Sequence, residues 1–314
     1  MRSNPLNCIV SQNNAICIVH CQLRPPMILF SWGVIMKSTG LVYACIAPHG
    51  SELIPALAGS HFDQVALTRS ALEELGRNMA ASAPDTIVVV TPHGLRLDTA
   101  ISIVTTDYTS GALEENGGRV EAEFVCDRLL AEQILQEARS HNLPVVGALF
   151  GALEGPASRF QLDWGALIPL WFMGAHWDRK PKVVLIGPCR TIPLTDLVTL
   201  GRIIARKAEQ CGHKVALIAS ADQAHAHHAE GPYGFDPAAA LYDAAMQEIV
   251  RDGHLEHLLK LDPGLVASAK PDSLWQMLVL YGATLEVSMQ GRLLSYQVPT
   301  YFGMLCASYE VRKY

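Results

Sequence analysis

Charge of either sign is sparse in this 314-residue chain: 17% of residues are charged, and 24 Lys plus Arg against 30 Asp plus Glu leave a net charge of −6. The basic side chains are scattered rather than massed, which excludes the electrostatic footprint of a nucleic-acid binder. None of the eight cysteines, at positions 8, 17, 21, 45, 126, 189, 211 and 306, forms a CxxC pair. That spacing argues against a disulfide scaffold or a structural zinc site and fits a reducing cytoplasm. No apolar run reaches the roughly 18 to 20 residues of a membrane-spanning helix, so no membrane partner is expected. A GxSxG elbow, a GxxxxGK[ST] phosphate loop and a GxGxxG turn are all missing, which removes most of the case for acyl-serine, P-loop and dinucleotide chemistry.

What is present is apolar material, 50% of the chain, enough for a large core. Apolar runs of strand length occur at 41–47, 86–91, 100–105, 119–125, 144–147, 182–187 and 214–219. Helical patterns alternate with them at 65–83, 127–140, 194–211, 238–252 and 272–284, the first carrying a stripe of Leu72, Leu75 and Met79. The first two and last two strands are continuously apolar, as strands covered on both faces should be. The expected fold is α/β, a three-layer α/β/α sandwich around a central mixed sheet in a single domain over 36–314. Residues 1–35 hold three cysteines and an Arg24-Pro25-Pro26 interruption without a clear period, and are expected to form a loosely attached extension.

Histidine carries the chemical signal. Pro48-His49-Gly50 follows the first strand and Pro92-His93-Gly94 the second, at the strand ends where open α/β sheets form their ligand crevice. Proline fixes φ before each histidine and glycine lets the chain turn away after it. The segment Ser220 to His228 follows the strand 214–219 and brings His225, His227 and His228 to the same edge if that strand runs parallel to the others. Two imidazoles converging there suit a first-row divalent metal. His225 would then be free for acid/base work, with Asp222 three residues upstream to orient it.

The ordered set APHG (47–50), TPHG (91–94), LDWGALIPL (162–170), SADQAHAH (220–227) and GPYGFDP (231–237) resembles the class III extradiol ring-cleavage dioxygenase superfamily, catalytic-subunit type, whose relatives include the Memo-type proteins. The resemblance spans roughly residues 40 to 312. It implies Fe(II) bound by His49 and His93, His225 as acid/base, a small aromatic substrate of catechol or aminophenol type cleaved with O2, and a homo-oligomer. Trp164, Tyr233, Arg190 and His227 are the candidate pocket residues. Two positions depart from the pattern. The third iron ligand of the superfamily is a Glu, and Leu241 stands at that position here; Glu52 or Asp222 are the carboxylates weighed as replacements. Trp164 stands where ring-cleaving members carry a histidine. A weak or inactive Memo-like metal-binding homologue, a non-catalytic partner subunit, and a Zn(II) hydrolase are the alternative readings.

Near the C-terminus, Lys270-Pro271-Asp272-Ser273 reads as a helix start with Asp272 or Ser273 as N-cap, a structural role, and Trp275 is expected to pack inward. The aromatics of the 295–304 segment either line a ring-shaped pocket or fill the core.

Overall fold

The computed structural model describes residues 39–312. The expected extension at 1–35 lies outside the described residues. In chain order the elements are β1 (Gly40–Ala47), α1 (Ala66–Ser82), β2 (Thr86–Val90), β3 (Ile101–Val104), β4 (Tyr108–Glu115), β5 (Gly118–Val125), α2 (Arg128–Ser140), β6 (Val145–Ala148) and β7 (Arg159–Gln161). They continue with α3 (Trp164–Phe172), β8 (Lys182–Gly187), α4 (Leu194–Gln210), β9 (Lys214–Ser220), α5 (Ala238–Asp252), α6 (Pro263–Ala269), α7 (Leu274–Thr284), β10 (Met289–Gln297) and β11 (Met304–Val311).

Eight strands form one mixed sheet in the order β10-β11-β1-β9-β2-β8-β3-β6. Its centre, β1-β9-β2-β8, is parallel throughout, so these four strands deliver their carboxyl ends to one edge. The period-2 alternation of a strand sends Val88 and Val90 of β2 to one face and Ile87 and Val89 to the other. The first face packs on α2, α4, α5 and α7; the second packs on α1, α3 and a three-stranded sheet ordered β5-β4-β7. The result is the expected three-layer α/β arrangement, with β5 assigned to the smaller sheet. Leu72, Leu75 and Met79 of α1 are fully buried, each contributing about 1.5–3 kcal/mol of transfer free energy.

Six elements are absent from the pattern reading: β4, β7, α3, α6, β10 and β11. Helix α3 is apolar on all sides and contains Pro169, so it lacks both the amphipathic stripe and the uninterrupted donor ladder that mark a helix in sequence. Strands β10 and β11 form an antiparallel hairpin that extends the sheet beyond β1. Their aromatics and short polar residues do not alternate cleanly.

Candidate metal centre

The parallel centre of the sheet determines the site. His49 leaves β1, His93 leaves β2, and Asp222 and His225 leave β9, all at the same edge. The His49 and His93 Nε2 atoms are 3.0 Å apart. An Asp272 Oδ2 lies 3.5 Å from the first and 3.3 Å from the second. His49 and Asp272 are almost completely buried, and His93 is half-buried. Metal–ligand bonds of about 2.1 Å put neighbouring donors about 3.0 Å apart in an octahedron and about 3.4 Å in a tetrahedron. Two of the three spacings fall in that range and the third, 3.5 Å, lies 0.1 Å beyond it, so this donor set fits a first-row divalent cation.

Proton placement supports the same reading. Pro169 has no N–H, so the Gly165 carbonyl one turn earlier in α3 lacks its helical donor, and the Ser220 hydroxyl donates to it instead. With its one proton committed there, Ser220 accepts from His49 Nδ1–H at 2.9 Å. The imidazole therefore aims its Nε2 lone pair at His93 and Asp272, the tautomer a metal ligand needs. Burial opposes charging of His49, but the carboxylates of Asp222 and Asp272 outweigh it and push the imidazole up to about 9. A cation at this position would compete with a proton for the Nε2 lone pair. Burial holds His93 and His225 below the ordinary histidine range. Burial also works against ionisation of Asp272, yet His49 and His93 beside it keep its carboxyl well below the usual range.

Of the two N-cap candidates read from the sequence, Asp272 and Ser273, it is Ser273 that takes the cap position of α7, and it makes no side-chain cap bond. The Asp272 carboxylate turns the other way: Oδ1 accepts the Asp222 N–H at 3.1 Å, and Oδ2 faces the histidines. Leu241 lies on α5 with its side chain 64% exposed, while its neighbour Tyr242 is buried and bonds to Ser273 at 2.9 Å. The carboxylate of the site thus arrives from the α6–α7 connection and not from α5. Glu52 lines the adjoining cavity but is not one of the three converging groups.

Asp222 contacts His49 instead of orienting His225: Oδ1 accepts the His49 backbone N–H at 2.9 Å and Oδ2 lies 3.2 Å from Nε2. Burial, with Asp272 adding repulsion, pushes this carboxyl up to about 7. His225 places Nε2 4.0 Å from Asp272 Oδ2, with its ring stacked on Phe302 and edge-on to Tyr233. Trp164 stacks on His93 with ring centroids 4.2 Å apart. His227 is directed away and is not part of the cavity wall; its Nε2 contacts Asp243 at 2.7 Å. Gly50 has φ −64°, and what it supplies is space, since a Cβ there would come within 2.7 Å of Glu52 Oε2 and 2.9 Å of Phe302.

These groups lie in a cavity of about 1090 Å³, whose wall includes Trp164, Arg190, Tyr233, Trp275, Tyr301 and Phe302. Trp275, read from sequence as packing inward, therefore also faces the cavity, as do the aromatics at 301 and 302.

A family model described as the catalytic LigB subunit of aromatic ring-opening dioxygenase matches residues 43–304. The chain belongs to this family. Among curated proteins, Protein CA_C1420 of Clostridium acetobutylicum is 26% identical over 253 residues, which cover 80% of this chain and 54% of that protein. The chain thus spans about half the length of this curated relative. Among solved structures, uncharacterized protein JW3007 from Escherichia coli K12 superposes with a TM-score of 0.57 at 17% identity, covering 85% of this chain and 99% of that one. At that identity the likeness is one of fold. Membership in the LigB family agrees with the His-His-Asp donor set. Among the described residues, no helix is long and apolar enough to cross a membrane.

Proposed function

We propose that this LigB-family protein is a non-haem Fe(II)-dependent extradiol dioxygenase that opens a catechol- or aminophenol-type ring with O2. The observation that carries the reading is the convergence of His49, His93 and Asp272 at 3.0–3.5 Å on the floor of an aromatic-walled cavity. Ferrous iron held by these three side chains would bring diol and dioxygen together and pass electron density between them. The electrons that reduce dioxygen come from the aromatic diol, and both oxygen atoms end in the product, so no further reductant is required.

The protein's own part is geometry and proton handling. His225, which burial holds below the ordinary histidine range, is positioned to take the proton of a substrate hydroxyl and return it after ring opening. Trp164, Tyr233, Tyr301 and Phe302 clamp a planar ring and keep water from it. Asp222 restrains the His49 loop through the backbone N–H it accepts.

The test is anaerobic loading of the metal-free protein with ferrous iron, followed by oxygen uptake with a panel of catechols and aminophenols. Uptake that requires iron and falls at least about a hundredfold in His225→Ala supports the reading. Tight metal binding with no uptake on any member would identify a Memo-like metal-binding homologue instead, and activity with Zn(II) alone would point to hydrolysis.

A further inference from the structure

Both metal-facing histidines are held by the main chain as well as by the ring. The His49 N–H donates directly to a carboxylate, Asp222 Oδ1. The His93 N–H reaches one through an intermediary: it donates to Thr91 Oγ1 at 3.4 Å, and the Thr91 hydroxyl donates to Asp163 Oδ1 at 2.5 Å. Asp163 is the N-cap of α3, and the same Oδ1 accepts the Ala166 N–H at 3.1 Å. The next residue, Trp164, stacks on the His93 ring, so one dipeptide grips both the backbone and the side chain of the ligand. Gly165 lets these groups meet. A Cβ there would stand 2.7 Å from Thr91 Oγ1, 3.0 Å from Asp163 Oδ1 and 3.1 Å from His93 Cδ2.

A second Asp–Thr pair, at the other end of β2, provides an internal comparison. Thr86 opens the strand and donates to Asp127 Oδ2 at 2.6 Å, while Asp127 Oδ1 caps α2 by accepting the Leu130 N–H at 3.2 Å. His213 Nε2 lies 3.1 Å from the same Oδ2, so both Asp127 oxygens are engaged. Asp163 uses one oxygen for both tasks, and its Oδ2 is buried with no hydrogen-bond partner. That oxygen lies over Gly94, the residue after His93, 3.2 Å from where a Cβ would stand. A carboxylate oxygen left so is costly unless a positive charge lies nearby, and among the described residues Asp163 has no ion pair. Asp163, Asp222 and Asp272 are three buried carboxylates around the two histidines, and among the described residues no Lys or Arg pairs with any of them.

We propose that Thr91 and Asp163 are positioning residues for the metal centre: the Thr91 hydroxyl fixes the main chain of His93 against the Asp163 carboxylate, and the free Asp163 oxygen supplies negative charge that a bound divalent cation offsets. Both roles rest on the part of the proposed function that puts a cation at this donor set, and they hold whether or not that cation turns over a diol.

Titration of the metal-free protein with Co(II), followed by calorimetry and by the visible absorption bands of the bound ion, tests both roles. Thr91→Val preserves the shape of the side chain and the cap of α3 but removes the hydroxyl; it should weaken Co(II) binding at least about tenfold and alter the bands, and Thr91→Ser should restore both. Asp163→Asn preserves an acceptor for Thr91 and Ala166 while removing the charge, and should weaken binding about tenfold with the bands unaltered. Thr86→Val breaks the matching pair away from the ligands. It should lower stability in urea as much as Thr91→Val does, and leave Co(II) affinity and bands as they are. Unaltered affinity in Thr91→Val or in Asp163→Asn, no rescue by Thr91→Ser, or an equal loss of affinity in Thr86→Val would overturn the inference and leave the metal centre standing. Failure of the unaltered protein to bind Co(II) would overturn both.

Discussion

His227 meets Asp243 at 2.7 Å and His49 meets Asp272 at 3.5 Å, both pairs being largely or wholly buried and both drawing a residue from the segment after β9 or against it. Around Asp243 every contact is a donor meeting an acceptor: the Ala224 N–H, the His227 imidazole and the Tyr296 hydroxyl all donate to its two oxygens. Around Asp272 one oxygen accepts the Asp222 N–H, while the other faces two imidazole nitrogens, one of them the nitrogen that His49 leaves without a proton when Nδ1 donates to Ser220. A matched network holds a loop in place. A mismatched one requires a proton or a metal ion to be stable, and that requirement marks the functional cluster.

Four substitutions would break or sharpen this contrast. Asp272→Ala should weaken divalent-metal affinity by at least about a hundredfold, read by titration of the metal-free protein, because altering residues behind a ligand already costs about 10–100-fold. Asp243→Ala should leave three donors unsatisfied and lower the free energy of unfolding by about 2 kcal/mol in urea melts. Equal loss of metal affinity in that variant would erase the distinction between the two clusters. Ser220→Ala removes the acceptor that fixes the His49 tautomer and should cost about tenfold in metal affinity. Leu241→Glu, on an exposed face of α5, should shift stability by no more than about 0.5 kcal/mol and leave metal affinity unaltered. A gain in affinity there would show that α5, not the α6–α7 connection, can supply the carboxylate.

The histidines were legible because the chain states their position twice: an apolar strand-length run, then Pro-His-Gly. The parallel centre of the sheet and the helices that cover it were legible from the same runs. Asp272 was not, since it stands more than forty residues beyond His225 in a Pro-Asp-Ser start that also satisfies every local preference of a helix cap. Only the direction of its carboxylate separates the two roles, and that direction is set by the Asp222 N–H, a tertiary contact. Helix α3 was hidden by Pro169 for a related reason: its stability comes from burial on all sides instead of an amphipathic face. The sequence placed His225 and His227 at the same edge in different roles, and the partners from α5 and β10 that turn His227 away are distant in the chain.

The gap that Pro169 leaves in the backbone ladder of α3 has a mechanical consequence. The carbonyl it releases is tied through Ser220 to the ring of His49, and Trp164, at the first turn of the same helix, forms part of the wall against which a flat guest would press. Seat and ligand thus share one lever: a guest that tilts the start of this short rod also turns the direction in which a nitrogen lone pair points.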